Sequence, residues 1–330
     1  MGSIIVAPSD LKVPFINLSK QPHDLKPGTP HWDSLKSQVR EAFENYGCFE
    51  ASFDKASREL RSDVFDSVEE LFDLPLPTKQ RAVVPDTFHK GYMGQHPIYP
   101  FYESFGLDDP TLLESVQNFS NTLWSEGGNP GFSKNIHSLS EMISELDQTV
   151  RRMILESYGL EKYMEEHMSF TSYHLRVMKY EVADDSKSKE TLDPKLVLRV
   201  HTDKGLITLL CQNEVGGLEF QTKEGEWVSY QPTSPSSFIV LAGDALHAWL
   251  NGRVHYPYHR VRLCGNDKPR YSFGLFTTPK AENTVKAPQE LIDEQHPLLF
   301  KPFVYKQYLD VAYTQAGRKE NAPLRAFYGL

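Results

Sequence analysis

The chain has 330 residues and a mass of 37.7 kDa, with a formal net charge of −9, a pI near 5.8 and a mean hydropathy of −0.47. Lys and Arg form no cluster of the kind that displaces counterions from phosphates, so no nucleic-acid partner is expected. No apolar run is long enough to span a bilayer, the opening MGSIIVAPSDLKVPF lacks the charge and apolar stretch of a secretory signal, and Val6 breaks the myristoylation pattern, so no membrane partner is expected either.

In chain order, VPFINL (residues 13–18) has strand composition. The segment HWDSLKSQVREAFENYG then places Leu35, Val39, Ala42, Phe43 and Tyr46 at helical spacing, with Asp33 or Ser34 as N-cap and Gly47 as stop. A second helix is predicted from Ala56 to Phe72, ended by Pro75 and Pro77, and a third from Asn135 to Tyr158. Beyond Ser169 the pattern changes to short β-type runs separated by turns: YHLRVMKYEV, KLVLRVHT, GLITLLCQ, GLEFQT, EWVSYQ, SFIVLAG, HRVRLC and RYSFGLFTT. Lys223 to Glu226 marks a hairpin. This density of strands predicts an antiparallel sandwich or barrel with a helical layer packed on it. The tail returns to helix around Val304 to Ala316. Residues 1–330 therefore read as one unit: 1–168 mainly helical with an early strand, 169–280 a β core, and 281–330 a helical tail. Cys48, Cys211 and Cys264 form no C-x-x-C pair, which suits free thiols in a reducing compartment, the cytoplasm by default.

Two H-x-D triplets occur. His31-Trp32-Asp33 falls at a helix start and needs no metal to explain it. His201-Thr202-Asp203 ends a strand, and residues i and i+2 of a strand share a face. With one further histidine from a neighbouring strand, His201 and Asp203 make the two-histidine, one-carboxylate set associated with non-haem Fe(II). His247 lies in a short helix or loop and His255 beside Pro257. His259 opens the alternating run His259-Arg260-Val261-Arg262-Leu263, which turns its imidazole inward, and is the best third ligand. One turn later come Arg270 and Ser272, on one face of the next strand, where a guanidinium and a hydroxyl suit a carboxylate. Alone, Arg270 is more often a surface ion-pair residue, His259 a packed core residue and Asp203-Lys204-Gly205 a turn. Their order on adjacent predicted strands is what makes them a site.

The set His201-Thr202-Asp203, His259-Arg260-Val261 and Arg270-Tyr271-Ser272 resembles the plant-type 2-oxoglutarate- and Fe(II)-dependent dioxygenases. Fifty-five residues separate Asp203 from His259 and ten separate His259 from Arg270, as in that family. LNGRVHYPYHRV and RYSFGLFTTPK are most similar to the AOP-type, glucosinolate side-chain branch. The resemblance implies a distorted double-stranded β-helix (jelly roll), β-rich and of the α+β class, flanked by N-terminal and C-terminal helices. It implies Fe(II) on His201, Asp203 and His259, with 2-oxoglutarate chelating the metal and its far carboxylate on Arg270 and Ser272. Tyr180 belongs to the family's N-x-Y pair; here the Asn position holds Met178, which removes one polar contact.

The resemblance further implies O2 as oxidant, ascorbate as reductant, and release of succinate and CO2 as a small molecule is hydroxylated or demethylated. Asp203 is present, so oxygenation rather than halogenation is implied. Tyr92, Phe119, Arg176 and Phe276 would border a pocket for a small, largely apolar metabolite or hormone-like molecule, although aromatic clusters are more often plain core. An iron oxidase of the same fold that does without 2-oxoglutarate, and a non-enzymatic jelly-roll binder, stay open as alternatives. No heptad or long amphipathic helix demands a partner chain, so a monomer is expected.

Overall fold

The structure, a computed structural model, describes residues 12–19, 25–85, 87, 89–94, 99–125, 127–181, 196–263, 268–314 and 323–328. Twelve strands build two facing sheets: β1 (Phe15–Asn17), β2 (Cys48–Ser52), β3 (Gly91–Met93), β4 (Tyr102–Asp108), β5 (Thr171–Tyr180), β6 (Leu196–His201), β7 (Ile207–Gln212), β8 (Leu218–Gln221), β9 (Trp227–Ser229), β10 (Ser237–Ala242), β11 (His259–Arg262) and β12 (Arg270–Pro279). The larger sheet runs β1-β2-β10-β7-β12-β5-β4-β3 and the smaller β6-β11-β8-β9. Only β1 and β2 pair in parallel; the other pairs within these two sheets are antiparallel.

Strand alternation divides the larger sheet cleanly. One row across it reads Cys211, Phe273, Val177, Phe105 and Tyr92, each residue the register partner of the next. That face carries the main core, under the helices Pro30–Asn45, Arg58–Asp73 and Pro130–Ser157. Fully burying one such aromatic contributes about 2–3 kcal/mol. The alternate rows face the smaller sheet. Cys48, Tyr102, Met178, Tyr180, Leu210 and Ile239 meet Val197, Leu218, Phe220, Val261 and Leu263 there in a second apolar cluster. Two sheets face to face with helices on the outer side form the distorted double-stranded β-helix of the β-rich α+β class.

Local differences from the sequence reading have local causes. The first helix begins at Pro30 rather than at Asp33, because Thr29 Oγ1 accepts from the Trp32 N–H at 3.2 Å and Pro30 occupies the first turn. It ends as expected, with Gly47 at φ +70°, where a Cβ would come within 2.6 Å of the His255 carbonyl oxygen. The third predicted helix starts five residues early, at Pro130, capped by Asn129 Oδ1 at 3.0 Å from the Phe132 N–H. Leu113–Leu123 is a helix that sequence reading missed; Leu112 at its start offers no side-chain cap. The N-terminal region also carries four strands where one was expected, and β2, β3 and β4 extend the larger sheet. The C-terminal helix covers Tyr305–Ala312. Cys264, the turn 265–267 and residues 315–316 lie outside the described residues.

Candidate active site

β6 ends on His201 and β11 begins on His259, and antiparallel register sets them directly opposite each other. Their ring centroids are 4.2 Å apart. Asp203 follows two residues after the strand end and brings Oδ1 to 3.7 Å from His259 Nε2. One nitrogen or oxygen from each of the three lies within 4.8 Å of the others. Each imidazole is oriented by its own strand: His201 Nδ1 donates to the Arg199 carbonyl at 2.8 Å and His259 Nδ1 to that of Pro257 at 3.2 Å. A carbonyl only accepts, so Nδ1 carries the proton and Nε2 keeps its lone pair for the centre. Thr208 Oγ1 donates to Asp203 Oδ2 at 2.6 Å and fixes the carboxylate.

The electrostatics suit a cation site. Burial, then the neighbouring His259, pulls His201 down to about 3. For Asp203 burial acts upward, but His259, His201 and the Thr208 hydroxyl outweigh it and hold the carboxylate below its ordinary range. A neutral His201 and an ionised Asp203 are the protonation states that metal ligands require. The other candidates stand apart. His31 and Asp33 are on the first helix, and His247 Nδ1 donates to the Val254 carbonyl at 2.5 Å.

On the same inter-sheet face of the larger sheet, β12 presents Arg270, Ser272, Gly274 and Phe276 in alternation. Arg270 is 0 % exposed, lies over the Tyr180 ring at 4.8 Å, and donates to Ser272 Oγ at 3.1 Å and Gln212 Oε1 at 2.9 Å. Its Nε has no partner, and among the described residues no carboxylate pairs with it. Burial draws the guanidinium below its ordinary value. A buried cation lacking an anion is costly unless a ligand supplies one. Met178 stands opposite Ser272 in the register, and its Sδ lies 3.4 Å from the Tyr180 hydroxyl.

Arg176 and Phe276 also fall on this face: Arg176 opposite Gly274, with its Nη2 3.1 Å from Ser104 Oγ, and Phe276 opposite both His174 and Thr208. Tyr92 and Phe119 do not. Tyr92 shares a row with Phe105 on the helix-covered face, where its hydroxyl donates to Glu103 Oε2 at 3.0 Å. Phe119 packs edge-on against Phe105 at 5.9 Å and stacks on Phe132 at 6.0 Å. Both are core residues on the far side of the sheet, and the expectation that they border a substrate is corrected accordingly. Sequence reading missed Thr208 and Gln212, which support Asp203 and Arg270. The signal was present: in Ile207–Gln212 the only polar residues sit at spacing four, on one face of an otherwise apolar strand. It also missed His174, paired to Asp108.

Comparison with known proteins agrees with this geometry. The 2OG-Fe(II) oxygenase superfamily matches residues 166–279, and the N-terminal region of the non-haem dioxygenases of morphine synthesis matches residues 13–98. The probable 2-oxoglutarate-dependent dioxygenase AOP1 of Arabidopsis thaliana is 47 % identical over 328 residues, covering 99 % of each chain. The chain belongs to the 2OG-Fe(II) oxygenase superfamily. It is a 2-oxoglutarate-dependent dioxygenase of the non-haem iron type. Among solved structures, the dioxygenase for auxin oxidation of rice is 30 % identical with a TM-score of 0.77, covering 95 % of this chain and 99 % of that one. The corresponding Arabidopsis thaliana enzyme, solved with 2-oxoglutarate, is 28 % identical with a TM-score of 0.74, covering 87 % of this chain and all of that one.

Proposed function

We propose that His201, Asp203 and His259 hold the Fe(II) of this dioxygenase, and that Arg270, with Ser272 and Tyr180, receives the far carboxylate of 2-oxoglutarate. The observation that carries the reading is a fully buried guanidinium without an anion on the face of the larger sheet that looks toward the smaller sheet, where the His-Asp-His set converges. The donor set fits the metal: two imidazole nitrogens and one carboxylate oxygen, each with its second atom already engaged. When bound, Fe(II) with 2-oxoglutarate and O2 supplies the oxidising power, releasing succinate and CO2.

The chain's own residues do the rest. Thr208 keeps the Asp203 carboxylate turned toward the two imidazoles. Gln212 and Ser272 orient the Arg270 fork, and the Tyr180 ring beneath it excludes water, so a carboxylate arriving there meets a desolvated charge. At the other end of β12, Phe276 and Arg176 wall a pocket for a small, largely apolar metabolite or hormone-like molecule, which is hydroxylated or oxidatively demethylated. The names of the relatives, auxin oxidation among them, support that class. The reading includes ascorbate as reductant and a monomeric chain acting as a single unit in the cytoplasm. Supporting it, Cys48 and Cys211 are free buried thiols, β1 to β4 share one sheet with the strands that carry the site, and no described helix is long and apolar enough to cross a membrane.

Anaerobic titration of the metal-free chain with Fe(II) and then 2-oxoglutarate tests the assignment. The visible iron-to-keto charge-transfer band should form in the native chain and vanish in His259→Ala. Iron binding without the band would overturn the 2-oxoglutarate assignment, and a full band in His259→Ala would overturn the metal set.

A further inference from the structure

We propose that His174, held by Asp108, and the adjacent His89 form the polar end of the substrate pocket and take a hydrogen bond from a hydroxyl or N–H group of the substrate. The inference rests on the dioxygenase reading for the identity of the pocket. His174 stands on β5 between Asp108 of β4 and Phe276 of β12, and Phe276 is in turn opposite Thr208, the residue bonded to Asp203. All four therefore share the face of the larger sheet that reaches the candidate metal centre through the Thr208–Asp203 hydrogen bond. Two strand spacings separate His174 from Thr208, about 10 Å across the sheet, the span of a small bicyclic molecule.

The rings leave bonding capacity unused. His174 is 8 % exposed, its Nδ1 donates to Asp108 Oδ1 at 2.8 Å, and its Nε2 is buried without a partner. Asp108 is tied in turn to Lys90 at 2.5 Å. His89 meets His174 edge to face at 5.7 Å and stacks on Tyr313, beyond the C-terminal helix, at 5.3 Å; its Nδ1 is likewise buried without a partner. The segment carrying His89 is seated on the pocket side of β4 by Gly106: a Cβ there would stand 1.8 Å from the His89 carbonyl oxygen. Two buried, unsatisfied imidazole nitrogens side by side are costly in an empty wall and useful in a lined one.

Their chemistry selects the ligand class. In the neutral imidazole the Asp108 carboxylate fixes the His174 proton on Nδ1, and that tautomer leaves the Nε2 lone pair for a donor. A carboxylate ligand would be met best by charged rings, and burial above all keeps His89 neutral down to about 4. An alcohol, phenol, amide or ring N–H on an otherwise apolar body fits; a bare hydrocarbon or an ether leaves both nitrogens unpaired.

The test titrates the anaerobic Fe(II)- and 2-oxoglutarate-loaded chain with 2-naphthol, 2-methoxynaphthalene and 2-naphthoate, which share one ring system and differ in the donor. Expected is about five- to tenfold tighter binding of the naphthol than of the ether. His174→Ala should erase that ratio, His174→Gln should restore part of it through its amide oxygen, and Asp108→Ala, at an exposed carboxylate, should shrink it. Equal affinities, no binding of either, a ratio that survives His174→Ala, or tightest binding of the naphthoate would each overturn the proposal. The charge-transfer band is recorded in the same samples. Its absence would count against the dioxygenase reading alone, and the naphthol ratio in the metal-free chain would still decide this one.

Discussion

Replacing Arg270 by Met separates the two roles a buried arginine can have. If Arg270 were a structural ion-pair member, its loss would unfold the inner sheet face. In this structure it is 0 % exposed and unpaired by any described carboxylate, with one hydroxyl and one amide oxygen as its side-chain hydrogen-bond partners. Exchanging such a cation for an apolar chain of similar volume should leave the stability of the ligand-free protein within about 1 kcal/mol, or raise it. Binding of 2-oxoglutarate should suffer instead. Removing one half of a buried charge pair costs about 2–5 kcal/mol, or about thirtyfold to several thousandfold in affinity. Scanning calorimetry of the Mn(II)-loaded chain reads both effects. A hundredfold excess of 2-oxoglutarate over its Kd stabilises the native protein by about 2.7 kcal/mol, which in a chain of this size is about 4 °C in Tm. In Arg270→Met that increment should disappear while the ligand-free Tm holds. A variant whose ligand-free Tm collapses while the 2-oxoglutarate increment persists would refute the reasoning.

Thr208→Val removes the hydroxyl that fixes Asp203 without changing shape, and should weaken Fe(II) binding about tenfold in a metal titration; an unchanged affinity would show that Asp203 needs no such support. Phe119→Ala should lower stability by about 2–3 kcal/mol in a urea melt and leave the substrate KM unchanged, since its ring packs between Phe105 and Phe132 on the far side of the sheet. A KM that rises without loss of stability would put Phe119 back in the pocket. His167 is fully buried with both ring nitrogens unpartnered, and burial, then Arg151, pulls it from 6.5 down to about 3. As the pH falls below 6.5 the unfolded chain takes up this proton and the folded chain does not until about 3, so stability is lost across that window. Between pH 7 and 5 this one residue should cost about 2 kcal/mol, and His167→Met should lose that much less in denaturant melts at the two pH values. An identical pH dependence in the variant would refute the argument.

The elements that the sequence announced are those whose burial is one-sided and regular. The helices Arg58–Asp73 and Pro130–Ser157 keep an apolar stripe along their length. The elements it concealed are those whose two faces meet different surroundings. β4 reads Tyr-Glu-Ser-Phe-Gly-Leu-Asp, because Phe105 enters the helix-covered core while Ser104, Gly106 and Asp108 face the pocket side. The resulting mixture matches neither an apolar strand nor an amphipathic one, so the aromatic residues around it were legible as a cluster and not as a sheet edge. The same gap explains the misplacement of Tyr92 and Phe119. Aromatic density marks a core or a pocket equally well, and only the register of β3 on β4 decides between them.

The candidate metal set was legible for the opposite reason. His201, Asp203 and His259 owe their convergence to strand ends, and a strand end is where a short motif and a turn coincide in the sequence. Support for that set comes from β7 and β12, where sequence offers only parity. Once β12 is aligned with β5 and β7, parity is enough. Counting in twos from Arg270 reaches Ser272, Gly274 and Phe276, and each step names its neighbours: Tyr180, then Met178 with Gln212, then Arg176 with Leu210, then His174 with Thr208. On the proposed function, the co-substrate end and the substrate end are thus one face of one strand read in opposite directions. A one-residue slip of β12 would bury Tyr271, Phe273 and Leu275 on the pocket side and turn Arg270 into the helix-covered core, where no partner awaits it. The register of this single strand therefore specifies the fold and the site together, and substitutions that weaken the pairing of β12 should reduce stability and 2-oxoglutarate binding in step.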